Sequence, residues 1–253
     1  MNKTTPTLDR DAFAADYIRI VSSARAMEKY ATREMADRFF LLTERLLAAN
    51  AVMNLTAITD PHEIILKHYA DSLRAAKYLP SGAKVADVGC GAGFPTLPLA
   101  AARPDLAITA IDSTDKRIVF VRETAALLGL DNVTAVTARA EDVGAGKLRG
   151  KYDCVTARAV ARLNMLCEFC IPLLRVGGVF LPMKAKSGAE ELAEAENAIG
   201  TLRAKLRFCE EFTIFDTESA EEPQTRMIAG IEKIGETEKI YPRNFSQIKK
   251  KPL

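Results

Sequence analysis

The residues best placed to do chemistry lie in one run, Asp87-Val88-Gly89-Cys90-Gly91-Ala92-Gly93-Phe94. It follows a short β-rich segment, Val85–Val88, and opens a helical stretch at Pro95–Ala102. Glycines let the backbone turn sharply and let a ligand come up against the main chain. The helix start beyond the turn offers free N–H groups and positive partial charge. Asp112 closes the next β-rich run, Leu106–Ile111, about 20 residues on, where a carboxylate accepts both hydroxyls of a ribose. A dinucleotide fingerprint spaces its glycines G-x-G-x-x-G, leaving room for a pyrophosphate. Here the third glycine comes one residue early and Phe94 fills the slot after it.

That spacing resembles motif I of S-adenosylmethionine (SAM) methyltransferases, whose ligand carries no phosphates. The resemblance implies SAM as cofactor, with a nicotinamide cofactor or a purely structural turn as the competing readings. The nucleophile leaves traces of its own. No N/D-P-P-Y/F tetrad of adenine amine methylation follows the fourth β-rich run, which ends in Thr156-Ala157-Arg158-Ala159. No Pro-Cys turn offers the covalent thiol of pyrimidine C5 methylation. The two histidines, His62 and His68, lie outside the loops at the strand ends, so a base for oxygen methylation is not evident. What remains is a nucleophile with a free lone pair. Ring N7 of guanine is one, and many small amines are others.

Around these residues the pattern requires an α/β fold. Apolar residues recur at helical spacing over Asp9–Ser23, Thr32–Ala49 and about Pro61–Lys77, with Asp60 and Pro61 as an N-cap and first helical residue. After Pro80-Ser81-Gly82 the chain alternates. Strands are predicted at Val85–Val88, Leu106–Ile111, Val133–Thr137, Tyr152–Ala157 and Gly178–Met183, and helices at Pro95–Ala102, Lys116–Leu128 and Leu163–Leu174. Ser187–Lys205 reads as a helix whose glutamates come early and whose Arg203 and Lys205 come late, matching the helix dipole. Phe208–Phe215 and Met227–Ile234 read as a final hairpin. The expected architecture is a Rossmann-like, mostly parallel sheet with an antiparallel final hairpin and an N-terminal helical extension. Its divisions are 1–80, helical extension; 81–238, SAM-dependent methyltransferase domain; and 239–253, basic C-terminal tail.

The chain has 253 residues, with 48% hydrophobic and 27% charged, the composition of a globular enzyme. No apolar run is long enough to span a membrane and the start lacks a signal peptide, so the expected location is the cytosol. Five sparse cysteines fit a reducing compartment, and Cys167-Glu168-Phe169-Cys170 reads as helix thiols rather than a metal or redox pair. The net charge of +2 argues against a nucleic-acid binder only if charge is evenly spread. It is not. Residues 239–253 carry Lys239, Arg243, Lys249, Lys250 and Lys251 and no acid, while the rest holds 30 basic against 33 acidic side chains. Such a block is either a solvated tail or an RNA-backbone clamp with Tyr241 or Phe245 stacking on bases. As a clamp it predicts that losing residues 247–253 weakens RNA binding and leaves SAM affinity intact.

A wider set of segments resembles one family. In order these are Asn54-Leu55-Thr56-Ala57-Ile58, Lys67-His68-Tyr69-Ala70-Asp71-Ser72-Leu73, the glycine turn through Pro95, and Asp112-Ser113 with Lys116-Arg117. Then come Arg139-Ala140-Glu141, Thr156-Ala157-Arg158-Ala159, Tyr241-Pro242-Arg243 and Lys250-Lys251-Pro252-Leu253. Together they resemble the bacterial small-subunit (16S) ribosomal RNA guanine-N7 methyltransferases, the RsmG or GidB family. The resemblance implies methyl transfer to guanine N7 in small-subunit rRNA or the 30S particle, with no metal, no membrane and a monomeric enzyme. It implies a SAM site of Asp87, Gly89, Gly91, Gly93, Phe94, Asp112, Ala140, Glu141 and Arg158. Candidate catalytic residues are Arg158 and His68, and candidate RNA contacts are Arg139, Lys184, Arg243, Lys249, Lys250 and Lys251. Against these stand plainer roles: a helix-start acid for Glu141, a surface salt bridge for Arg158, helix packing for His68 and Asp71, and solvated charge for Arg139 and Lys184. The chain departs from the family after the turn, where Phe-Pro-Gly-Ile-Pro gives way to Phe94-Pro95-Thr96-Leu97. It also has Met183-Lys184-Ala185 for Leu-Lys-Gly, and Asn244-Phe245 in place of an Arg-rich, glycine-containing stretch. A small-molecule N-methyltransferase and a non-catalytic SAM- or ribosome-binding protein are the alternatives.

Overall fold

A computed structural model describes residues 8–214 and 223–253. Side-chain caps start the N-terminal helices. The Asp9 carboxylate accepts from the N–H groups of Asp11 and Ala12 to open α1 (Arg10–Ser22). Thr32 accepts from the Met35 N–H to open α2 (Arg33–Met53), which Asn54 ends in the left-handed region at φ 50°. Asp60 then caps a third rod with Pro61 in its first turn. This rod runs through α3 (Pro61–Ile64), a π turn (Ile65–Ala70), α4 (Asp71–Arg74) and a 3-10 turn (Ala75–Tyr78).

Next in order are β1 (Lys84–Val88), α5 (Thr96–Ala102), β2 (Ala107–Asp112), α6 (Asp115–Leu127), β3 (Val133–Thr137) and α7 (Ala140–Ala145). They are followed by β4 (Tyr152–Arg158), α8 (Leu163–Cys170), β5 (Leu174–Lys184), α9 (Gly188–Glu194) and α10 (Glu196–Thr201). The chain continues through β6 (Ala204–Ile214), β7 (Gln224–Lys233) and α11 (Phe245–Lys250). The strands form one sheet in the order β3-β2-β1-β4-β5-β7-β6. β1 to β5 are parallel, and β7 runs antiparallel to both of its neighbours. This is the mostly parallel, Rossmann-like sheet with an antiparallel final hairpin that the sequence predicts. The strand order reverses between β1 and β4, which opens a crevice above their C-terminal ends.

Two sequence expectations differ in detail, and one falls outside the described residues. The helix over Ser187–Lys205 is two short helices broken at Ala195; Arg203 sits past their end at φ 62° and Lys205 is already in β6. The helix expected to reach Leu174 stops at Cys170, passes through a 3-10 turn and gives Leu174 to β5. The predicted strand end Phe215 lies outside the described residues.

Side chains alternate across the strands, and each face of the sheet builds its own core. Val85, Ile108 and Ala110 join Tyr17, Phe39, Tyr69, Leu97 and Val121 on one face. Ala86, Val88, Ile111 and Val155 join Leu166, Phe180, Ile199 and Ile248 on the other. The helices of residues 10–78 thus share one continuous core with the sheet.

The basic C-terminal block folds back onto the second face. Asn244 and Gln247 form a capping box that starts α11, and Ile248 is buried. The Arg149 guanidinium donates to four carbonyls, those of Gly144, Thr237, Glu238 and Tyr241. Arg243, expected in a solvated or RNA-facing block, instead grips Glu168, which is 0% exposed in α8. Its Nε and Nη2 reach Oε1 and Oε2 at 2.9 and 2.6 Å, and its backbone N–H reaches Oε1 at 2.8 Å. A buried carboxylate demands such a partner, so local chemistry overrides the charge pattern. Arg243→Met is expected to cost about 3–5 kcal/mol in urea unfolding, because Glu168 is left charged and unpaired. Adding Glu168→Met should recover much of that loss; equal losses in the single and double variants would contradict this reading.

Candidate active site

The β1 carboxyl end carries the site because three tethers hold the glycine turn there. The Gly89 and Cys90 N–H groups both donate to the Ile111 carbonyl of β2, at 2.7 and 3.1 Å. The Asp87 carboxylate, 1% exposed, accepts from the Thr96 hydroxyl at 2.6 Å, the Thr96 N–H at 3.2 Å and the Thr156 hydroxyl at 3.0 Å. Burial pushes the Asp87 carboxyl up to about 6. Gly89, Gly91 and Gly93 take φ values of 71°, 56° and 88°, which side-chain-bearing residues rarely adopt. A Cβ on Gly89 would meet the Val160 side chain at 2.4 Å.

Above the turn lies a cleft of about 240 Å³. Its walls come from successive strand ends: Val88 and Gly89 after β1, Asp112 and Ser113 after β2, Ala138–Glu141 after β3, and Ala159 and Val160 after β4. Phe169 and Phe245 close it on the second-core side. Asp112 accepts from the Gly91 N–H at 3.1 Å and the Thr114 N–H at 2.9 Å, with Arg117 at 3.5 Å. An ionised carboxylate has about four acceptor sites, so Asp112 keeps capacity for a diol. Glu141, at the start of α7, has Arg139 at 3.8 Å.

A second cavity of about 470 Å³ adjoins the first at Ala159, which lines both. It is bordered by His68, Asp71, Arg158, Lys184 and Arg226. Arg158 leaves the end of β4 and is held on every side. Its Nη1 donates to Asp71 Oδ2 and the Lys67 carbonyl, both at 3.0 Å, and its Nη2 to His68 Nδ1 at 3.1 Å. Since Nδ1 accepts, the His68 proton sits on Nε2, which faces the Thr56 hydroxyl at 3.0 Å. Burial, and then the Arg158 charge, push His68 down to about 3. Its ring stacks on Phe94, with centroids 4.4 Å apart.

The structure brings Gly89, Asp112, Ala140 and Glu141 of the expected cofactor set together around the first cleft. The others do not line that cleft. Asp87 accepts from Thr96 and Thr156 and holds the turn. Gly91 and Gly93 shape the turn, and Phe94 is buried in the His68 stack, 5.5 Å from the Arg158 guanidinium. Arg158 and His68 border the second cavity, not the first. Lys184, expected as a solvated or RNA-facing cation, donates to the Ala161 carbonyl at 2.8 Å and pairs with Glu191 at 2.6 Å, both groups nearly buried. Arg139 is exposed at the cleft mouth, and Lys249, Lys250 and Lys251 are exposed on or just past α11. Cys167 and Cys170 are buried, and burial pushes both thiols up, as suits packing groups.

Several site residues escaped the sequence reading. Thr96 and Thr156 hold Asp87; a hydroxyl inside the apolar run Cys154–Ala157 was the available signal. Arg226, on β7, enters the second cavity from the far end of the chain, with its Nε 4.0 Å from Asp71. Phe169 sits in the interior of an apolar helix, where nothing in its sequence distinguishes it from core.

Comparison with known proteins places this geometry. The family model described as GidB, rRNA small subunit methyltransferase G, matches residues 35–218. A protein of Brevibacillus brevis named ribosomal RNA small subunit methyltransferase G is 46% identical, covering 87% of this chain and 91% of that one. Its namesake in Lactobacillus johnsonii is 42% identical over 91% of this chain and 98% of its own. Among solved structures, a SAM-dependent O-methyltransferase of Thermotoga maritima shares the fold, with TM-score 0.52 and 18% identity over 78% of this chain and 72% of its own. So does M. jannaschii TYW2 in complex with AdoMet, with TM-score 0.51 and 22% identity over 65% and 75% of the two chains. By the extent of these matches, the chain belongs to the GidB family of rRNA small subunit methyltransferases.

Proposed function

We propose that the protein transfers a methyl group from SAM to N7 of a guanine in small-subunit (16S) ribosomal RNA, acting in the cytosol as a monomer on the RNA or the 30S particle. The observation that carries this reading is the junction at Ala159 between a cleft whose walls suit a nucleoside and a cavity in which His68, Asp71 and Lys184, among the described residues, are already paired. SAM, when bound, supplies a methyl group on a sulfonium. In the first cleft Asp112 takes the ribose hydroxyls, Ala140 and Glu141 flank the adenine, and the Gly89 main chain allows close approach. The flipped guanine enters the second cavity, so that its N7 faces the methyl group across Ala159.

Guanine N7 is unprotonated at neutral pH and attacks through its lone pair, so no residue has to remove a proton first. The cavity's side chains fit that chemistry. His68 spends Nδ1 on Arg158 and Nε2 on Thr56, Asp71 is paired with Arg158, and Lys184 with Glu191. His68 and Asp71 therefore act as positioning residues for Arg158. The exposed lysines of the C-terminal block supply contacts to the RNA backbone.

Incubation of the protein with labelled SAM and unmethylated small subunits or rRNA, followed by nucleoside mass spectrometry, should yield 7-methylguanosine. Methylation of small amines without RNA would support the small-molecule alternative, and RNA association without transfer the non-catalytic one. Gly89→Val, which forces a side chain into Val160 at a positive φ, should abolish SAM binding and leave RNA affinity in place.

His68 gives a pH test. A group titrating near 3 is uncharged from pH 6 to pH 9, so an acid limb near pH 6 belongs to Asp87, pushed up to about 6, and not to His68. His68→Gln, which keeps an acceptor for Arg158, should lower the rate by no more than about tenfold without changing the pH profile. A loss of about 10²–10⁴-fold together with a changed profile is the signature of a general base and would contradict this assignment.

A further inference from the structure

Phe245 is the first residue of α11 and the one wall of the cofactor cleft contributed by the C-terminal block. The block holds it there from beneath, through buried Ile248 and the Arg243–Glu168 pair. Its ring lies nearly parallel to that of Phe169, at 14° and 6.4 Å between centroids, and Arg139 sits 5.2 Å from its centroid. Phe169 is 4% exposed, but Phe245 remains 37% exposed, an apolar face left open at the edge of a polar cleft.

The order of the strand ends says which part of a nucleoside lies beside it. The glycine turn follows β1, Asp112 ends β2, and Arg139–Glu141 follow β3, the next strand along. With the ribose at Asp112, the purine falls at the β3 side, where Arg139 meets Phe245. Phe169 and Phe245 are the aromatic side chains of this cleft, and a purine has two apolar faces to cover.

We propose that Phe245 belongs to the cofactor site and covers the purine of SAM, so that cofactor loading and docking of residues 241–251 favour each other. The proposal rests on reading the first cleft as the SAM site. It differs from assigning Phe245 to an RNA base, because the ring borders the cleft and is braced by residues that also border it. By reciprocity, SAM binding then steadies the element that carries Lys249 and Lys250, and losing residues 247–253, Ile248 among them, should weaken SAM binding as well, against the sequence expectation that it leaves SAM affinity intact.

The test is calorimetric SAM affinity of the full chain, free of RNA, for the parent, Phe245→Leu, Phe245→Trp and Asp112→Ala. Phe245→Leu keeps apolar bulk and loses the aromatic face, and it should weaken SAM binding about tenfold. Phe245→Trp should restore affinity to within about threefold of the parent. Saturating SAM should also slow amide hydrogen exchange over residues 244–251. Parent-like SAM affinity in Phe245→Leu, or unchanged exchange, overturns the proposal and returns the ring to RNA stacking. If the parent does not bind SAM, or Asp112→Ala binds it as tightly, the cofactor reading itself fails and takes this proposal with it.

Discussion

Asp87, the next-to-last residue of β1, holds its carboxylate inside the protein, where an unpaired charge is costly. The cost is offset by three donors from two other elements, Thr96 at the start of α5 and Thr156 within β4. These bonds determine where the chain leaves β1, where the next helix begins, and how β1 sits beside β4. The glycine turn hangs between them; the first cleft opens from that turn, and the second cavity adjoins it at Ala159. The raised Asp87 pKa shows that the hydrogen bonds do not fully repay desolvation. Such a residue serves geometry more than stability.

A second layer of constraint crosses from the helical N-terminal region to the sheet. Arg158 at the end of β4 reaches His68, Asp71 and the Lys67 carbonyl on the third helical rod, and the His68 ring lies on Phe94 beside the glycine turn. The rod passes this point through a π turn, an irregularity common at functional sites. The same helices share a core with the sheet. The N-terminal helices therefore build one wall of the second cavity as well as covering the sheet.

Much of this was legible in the sequence because it rests on local rules. Alternating β-rich and helical runs, the capped start at Asp60, and glycines at positions needing positive φ all read directly. So did Asp112, since a parallel strand beside β1 must bring its end to the turn. What could not be read depends on long-range pairing. Lys184 and Arg243 look like free cations in sequence, and only the fold sets Glu191 and Glu168 against them. The stacking of His68 on Phe94 likewise joins residues 26 apart in the chain and has no local signal. Thr96, a departure from the family pattern, proves to supply a hydrogen bond that Asp87 needs.

The Arg243–Glu168 pair also bears on how the protein is made. Glu168 is synthesised within an apolar helix, and its partner follows 75 residues later in the chain. During vectorial synthesis α8 carries a buried-type carboxylate that has nothing to neutralise it until the region near 243 emerges from the ribosome. In the finished fold Glu168 is buried only with Arg243 on it, and Ile248 of the same segment fills the second core. The last part of the chain to be made thus completes both that core and, through Phe245, the wall of the cleft.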